Sequence, residues 1–148
     1  MSERSGPFWD VFEGRASLPP AAATLGLEFT DADGDAGTVE LAFEGTEDFT
    51  NPAGNVLGGF QAAMLWETVG AALLATLEAD QFQSTTQMTV NFMRPVRPGR
   101  IVGTGRVVHR EGDLVFREAS LMDADDQVIA TATATARVIG LAQAHAAA

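Results

Sequence analysis

GGFQAAMLWETVGAALLATLE, residues 58–78, is apolar nearly all round a helical projection, with Gln61, Glu67 and Thr68 its only polar interruptions before the final turn. A helix this apolar is buried, not a surface helix with one dry stripe. Ala62, Ala63, Gly70, Ala71 and Ala72 are small enough to let a sheet come close to it. Glu67 and Thr68 break the apolar run, so it does not read as a membrane span.

The flanks supply the sheet. Residues 25–45, LGLEFTDADGDAGTVELAFEG, read as two extended runs about a turn-rich centre, a β-hairpin. The loop EDFTNPAGNV (residues 47–56) leads into the helix. Beyond it lie four strand-like runs, at residues 83–93, 100–110, 114–123 and 127–139. The last alternates strictly, with Val128, Ala130, Ala132, Ala134 and Ala136 on one face and Thr131, Thr133, Thr135 and Arg137 on the other. Such an alanine ladder suits a sheet face pressed on a helix. The order is hairpin, buried helix, then a four-stranded antiparallel meander. Covering one helix requires the sheet to curl around it, which gives an α+β domain. Residues 1–24 form an N-terminal helical segment, with Phe8, Trp9 and Phe12 on one side of a short helix from Pro7 to Gly14 and a second helix over Ala21 to Leu25. Residues 25–139 are the domain proper, and residues 140–148 are expected to fray.

A chain of 148 residues fits one such domain. The net charge is −11 and Arg is the only strong base, with no Lys. That balance argues against nucleic acid or an anionic membrane as partner. With no Cys, disulfides, Cys-ligated metals and a Cys nucleophile are excluded together. The N-terminus lacks an apolar run of signal-peptide length. A cytoplasmic domain is expected.

Several motifs dissolve under their chemistry. Asp31 to Gly37 resembles the start of a calcium loop, but position six is Ala36 and position twelve Ala42 where Gly and Glu are needed. His109 falls on a strand and His145 in the tail, without the oriented partners a catalytic triad needs. No metal-ligand spacing is present. GTGRVV at Gly103 lacks the third glycine of a dinucleotide loop and reads as strand.

Gly58-Gly59 is different. The first amides of a helix are unpaired and partially positive, and glycine lets a ligand atom approach them. A carbonyl oxygen there would be polarised as in an oxyanion hole. The competing reading is a tight loop-to-helix turn. Glu67 shares a helical face with Phe60, Ala63, Met64, Ala71 and Leu74. Burial there raises a carboxyl pKa and suits a general base; the alternatives are a salt bridge to a facing Arg or exposure at a subunit edge. From Gly59 to Glu67 the helix rises about 12 Å, too far for one substrate atom to touch both. A substrate lying along the helix, or a neighbouring subunit supplying half of the site, would reconcile the two.

With these residues in place, NPAGNVLGGFQAAMLWETVG (residues 51–70) resembles the signature of the PaaI-like hotdog-fold acyl-CoA thioesterases. QMTVNFMRPVRPG (residues 87–99) resembles that family's strand ending in a Pro-containing turn, and the likeness runs from Leu25 to Val138. The resemblance implies a hotdog fold and hydrolysis of an acyl-CoA thioester. It assigns Asn51 to orienting substrate or water, the Gly58 and Gly59 amides to the thioester carbonyl, Glu67 to general base or nucleophile, and Thr85 to positioning water. It also implies a site at a dimer interface, a homodimer or dimer of dimers, and no cofactor beyond coenzyme A as part of the substrate. Arg94, Arg97 and Arg100 are candidates for its phosphates. Two departures stand out. Leu57 occupies a place where many members have His or Gln, and the acid is the eighth residue after Gly-Gly, Trp66 holding the seventh place. Leu57 and Trp66 therefore join Phe60, Met64, Phe92 and Met93 as candidates for an apolar or aromatic pocket, and they motivate an alternative, a non-catalytic binder of acyl-CoA or an aromatic ligand. A hotdog dehydratase ranks lower, because no His lies near Gly-Gly.

Overall fold

The structure, a computed structural model, describes residues 4–146; the ends of the predicted N-terminal segment and tail, residues 1–3 and 147–148, lie outside the described residues. Helix α1 (Pro7–Phe12) and helix α2 (Pro20–Thr24) each begin on proline, whose fixed φ suits a first helical turn. Strands β1 (Glu28–Asp33) and β2 (Thr38–Gly45) form the expected hairpin. Its turn is closed by Asp33, whose Oδ1 accepts from the amides of Asp35 and Ala36. The calcium-like aspartates are therefore turn chemistry.

Helix α3 (Gly58–Leu74) is the long helix. It stops short of the predicted Glu78 because the Thr76 hydroxyl takes the Leu73 carbonyl at 2.7 Å and the chain tightens into i→i+3 bonds. Strands β3 (Gln81–Phe92), β4 (Gly99–Glu111), β5 (Leu114–Met122) and β6 (Val128–Gly140) follow, all antiparallel. One six-stranded sheet results, in the order β1-β2-β4-β5-β6-β3. The expected four-stranded meander is thus corrected. Only β4, β5 and β6 form a meander; β3 pairs β6 at the far edge, and β2 takes the place beside β4. Alternation fixes which face of a strand is buried, not which strand lies beside it.

The sheet curves over α3 and buries Met64, Leu65, Val69 and Ala72 with Leu41, Phe43, Ile101 and Leu121. Ala130, Ala132, Ala134 and Ala136 are all buried, as the ladder predicts, whereas Val128 is exposed. Closest approach comes from the sheet side. A Cβ on Gly103 would lie 2.6 Å from Thr68 Oγ1, and one on Gly105 would lie 2.8 Å from the Thr68 carbonyl oxygen. The helix is not buried all round, however. Trp66 is 49% exposed and Glu67 is half-buried, because the sheet covers one side only. Leu141–Ala146 form a short helix, α4, tied at its start by the Leu141 amide to the Asp80 carbonyl. Among the described residues no helix is long and apolar enough to cross a membrane.

Candidate functional site

The loop before α3 is built to deliver its first amides unpaired. Asn51 Oδ1 accepts from the amides of Ala53 and Asn55, and the Asn51 amide donates to the Asn55 carbonyl. Gly54, at φ +83°, makes the turn. Val56 and Leu57 then donate to the carbonyls of Val96 and Phe49, and the buried Gln61 side chain reaches back to the Val56 carbonyl at 3.0 Å. Among the described residues, the amides of Gly58 and Gly59 donate to no acceptor. The two glycines differ. A Cβ on Gly58 would meet the Phe92 ring at 3.1 Å, so Phe92 covers that position. At Gly59 the nearest atom is Leu57 Cδ2 at 3.8 Å, so the approach is open.

Glu67 lies two turns further on, and burial pushes its carboxyl pKa up. It lines an apolar groove of about 430 Å³ on the uncovered side of α3. The lining runs along the helix from Trp66 and Glu67 through Gly70, Ala71 and Leu74; the opposite wall is α1 with Leu18, Leu27 and Phe29. Both Trp66 and Glu67 therefore face the groove, and Trp66 does not displace the acid. Gly58, Gly59 and Asn51 do not line it. One helix thus carries open amides at its start and, two turns on, a carboxylate in a groove.

Beside the groove, Thr85 and Gln83 of β3 are held by a side chain that the sequence analysis passed over. Arg117 is 1% exposed. Its guanidinium donates to Gln83 Oε1 at 2.7 Å, Thr85 Oγ1 at 3.0 Å and the Val69 carbonyl at 3.3 Å. Burial lowers its pKa to about 10. Gln83 in turn donates to the Gly70 carbonyl at 2.9 Å. A bulge between Thr85 and Gln87 keeps Gln83 and Thr85 on the inner face with Met88 and Val90, which a regular strand would turn outward. Arg117 was visible in principle, because Val115, Arg117, Ala119 and Leu121 alternate inward on β5 and an Arg in that series must find partners.

The other predicted residues divide. Met64 is fully buried among core side chains, and its assignment to substrate is corrected to packing. Phe60 stacks on Phe49 at 4.2 Å and lies outside the groove. Leu57 is 45% exposed at the helix start. Asn51 spends its carbonyl oxygen on the loop, leaving its side-chain NH₂ without a partner among the described residues. Arg97 donates to the Ala53 carbonyl and Arg100 lies 3.6 Å from Glu28, while Arg94 is exposed and makes no side-chain bond among the described residues. The α1 wall left no signal in the sequence beyond the apolar helix face of Phe8, Trp9 and Phe12.

Residues 53–130 match the model of the thioesterase superfamily. A phenylacetic acid degradation-related protein from Ralstonia eutropha JMP134 is 34% identical, with a TM-score of 0.84 over 88% of this chain and 98% of its own. The E. coli PaaI protein, from the phenylacetic acid degradation operon, shares the fold with a TM-score of 0.80 at 16% identity, over 90% of this chain and 94% of its own. A thioesterase from Haemophilus influenzae shares it with a TM-score of 0.78 at 18% identity, over 93% and 94%. No curated protein matches this sequence.

Proposed function

Because this chain belongs to the thioesterase superfamily, we propose that it hydrolyses an acyl-CoA-type thioester with Glu67 as general base. The observation that carries this reading is the Glu67 carboxyl itself, set in an apolar groove and raised in pKa by burial. The thioester carbonyl oxygen accepts from the open amide of Gly59, with that of Gly58 beside it, where the helix start favours developing negative charge. Glu67 takes a proton from water as the water oxygen attacks the carbonyl carbon. The C–S bond then breaks, the thiolate leaves and takes up that proton, and the products are a carboxylic acid and a free thiol. Thr85 positions the water. Its oxygen already accepts from Arg117, so its hydroxyl proton is free to donate.

Gly59 and Glu67 are eight positions apart on one helix, about 12 Å. The working site therefore joins the helix start of one copy to the Glu67 groove of another, in a homodimer or a dimer of dimers. Strand β3 supports this. It is one edge of the sheet, twelve residues long, and presents Phe82 near its start and Phe92 and neighbouring Met93 at its end to solvent. An unpaired edge of this length, with exposed apolar side chains at both ends, calls for a partner. Of the three arginines near the Pro-containing turn, Arg94 is the one exposed and without a side-chain partner among the described residues, and it is available to a coenzyme A phosphate.

The test is Glu67→Gln on a panel of acyl-CoA substrates. A folded variant is expected to lose about 10²- to 10⁴-fold in kcat, the range for general-base catalysis. Full activity would remove Glu67 from the chemistry. A second reading, a non-catalytic binder of acyl-CoA or an aromatic ligand, draws on the exposed apolar Leu57 and Trp66 where polar groups are expected. Its signature is thermal stabilisation by acyl-CoA with no product.

A further inference from the structure

The groove on the open side of α3 is larger than catalysis at Glu67 requires. Its wall opposite α3 comes from helix α1, which precedes the stretch shared with the superfamily. Residues 53–130 therefore do not specify that wall. The helix is fixed by aromatic contacts to the hairpin: Phe8 and Phe12 each pack on Phe29 of β1 at 5.5 Å, and Trp9 packs edge-on against Phe8 at 5.0 Å. Val11 and Leu18 line the groove between these aromatics and α3. On the α3 side Glu67 is followed by Gly70, against which the Gln83 amide packs, and by the small Ala71, and then by the bulkier Leu74 and Leu77. From Glu67 to Leu74 the path is about 10 Å.

We infer that this groove is the acyl pocket, that α1 is the element setting its length, and that it fits apolar acyl groups of medium length, matched to the about 10 Å that separates Glu67 from Leu74 along the helix. The inference rests on Glu67 being the reacting end. An acetyl group leaves most of the apolar wall facing water. An octadecanoyl group outruns the space. Each methylene that moves from water into the groove adds about fourfold to kcat/KM.

The experiment has a kinetic and a binding arm. Straight-chain acyl-CoA thioesters from two to eighteen carbons, with phenylacetyl-CoA as the aryl member, give the specificity profile. The maximum is expected near eight to twelve carbons. Val11→Phe, at a half-exposed position of α1, is expected to lower kcat/KM for dodecanoyl-CoA at least tenfold and for butanoyl-CoA less than twofold. A maximum at two to four or at sixteen to eighteen carbons, or an equal loss across the series, overturns the inference. The binding arm uses the chain's own reporters. Its two tryptophans, Trp9 and Trp66, both line the groove. Decanoyl-CoA added to Glu67→Gln protein is expected to change tryptophan emission saturably, and acetyl-CoA is not. If no thioester is turned over, the function proposed above fails and this arm alone judges the pocket: a saturable decanoyl response supports it, and no response to any chain length overturns it.

Discussion

Two disabled copies should restore each other. The perturbations are Glu67→Gln and Gly59→Val, made in separate chains. At Gly59 the added Cβ meets nothing nearer than Leu57 Cδ2 at 3.8 Å, so the fold accepts it, whereas at Gly58 it would strike Phe92 at 3.1 Å. Valine also suits a helix slightly better than glycine. It crowds the open amide that the carbonyl oxygen needs, and loss of one such donor costs about 10²- to 10³-fold. Each variant alone should therefore show at most about 1% of wild-type activity. The two half-sites stand about 12 Å apart along one helix. If each working site takes Gly59 from one copy and Glu67 from another, a site is intact when the first copy is a Glu67→Gln chain and the second a Gly59→Val chain. Equal co-expression with random assortment makes that true of about one quarter of sites, in a dimer or a dimer of dimers alike. The assay is thioester hydrolysis by co-expressed protein, beside a mixture of the separately purified variants held under non-exchanging conditions. Recovery near one quarter supports the two-copy site. Activity that stays at the single-variant level would falsify it and require both halves to act within one chain.

Glu67 also predicts a pH dependence of known sign. Its folded pKa is raised by burial, so kcat/KM should climb with pH and level off above that raised value; a plateau already present in the ordinary carboxylate range would contradict the burial argument. Stability moves the other way. Below the unfolded Glu pKa the side chain is protonated in both states and burial costs little. As pH rises from there through the raised folded value, the unfolded chain gives up its proton first and stability is lost. Melting curves of Glu67→Gln and wild type should accordingly converge in acid and separate as pH rises through the raised folded value, with the variant the more stable. Arg117→Ala removes a buried guanidinium that satisfies Gln83 and Thr85, and should cost about 3 kcal/mol or more in urea unfolding; a loss below ~1 kcal/mol would mean those partners satisfy themselves otherwise. Gly105→Ala places a Cβ 2.8 Å from the Thr68 carbonyl and should cost about 1–3 kcal/mol by overpacking, and an unchanged urea midpoint would show that the helix can retreat from the sheet.

The sequence by itself determined the elements and the identity of the central helix. Burial leaves a local record: period 2 along β6, where Ala130, Ala132, Ala134 and Ala136 all turned inward, and a mostly apolar run along α3. Gly58-Gly59 and Glu67 were legible for the same reason, since a helix start and a carboxylate on an apolar face are properties of neighbouring residues. Strand neighbours were not. The placement of β3 beside β6 joins residues some fifty positions apart, and no alternation pattern distinguishes one partner strand from another. Only the tertiary structure showed that the sheet leaves one side of α3 uncovered, that α1 crosses to wall that side into a groove, and that Met64 belongs to the core while Trp66 and Glu67 both face the opening. It alone gave Arg117 its partners on β3. Those facts depend on which distant surfaces meet, and side-chain chemistry read along a chain carries the demand for a partner without its address.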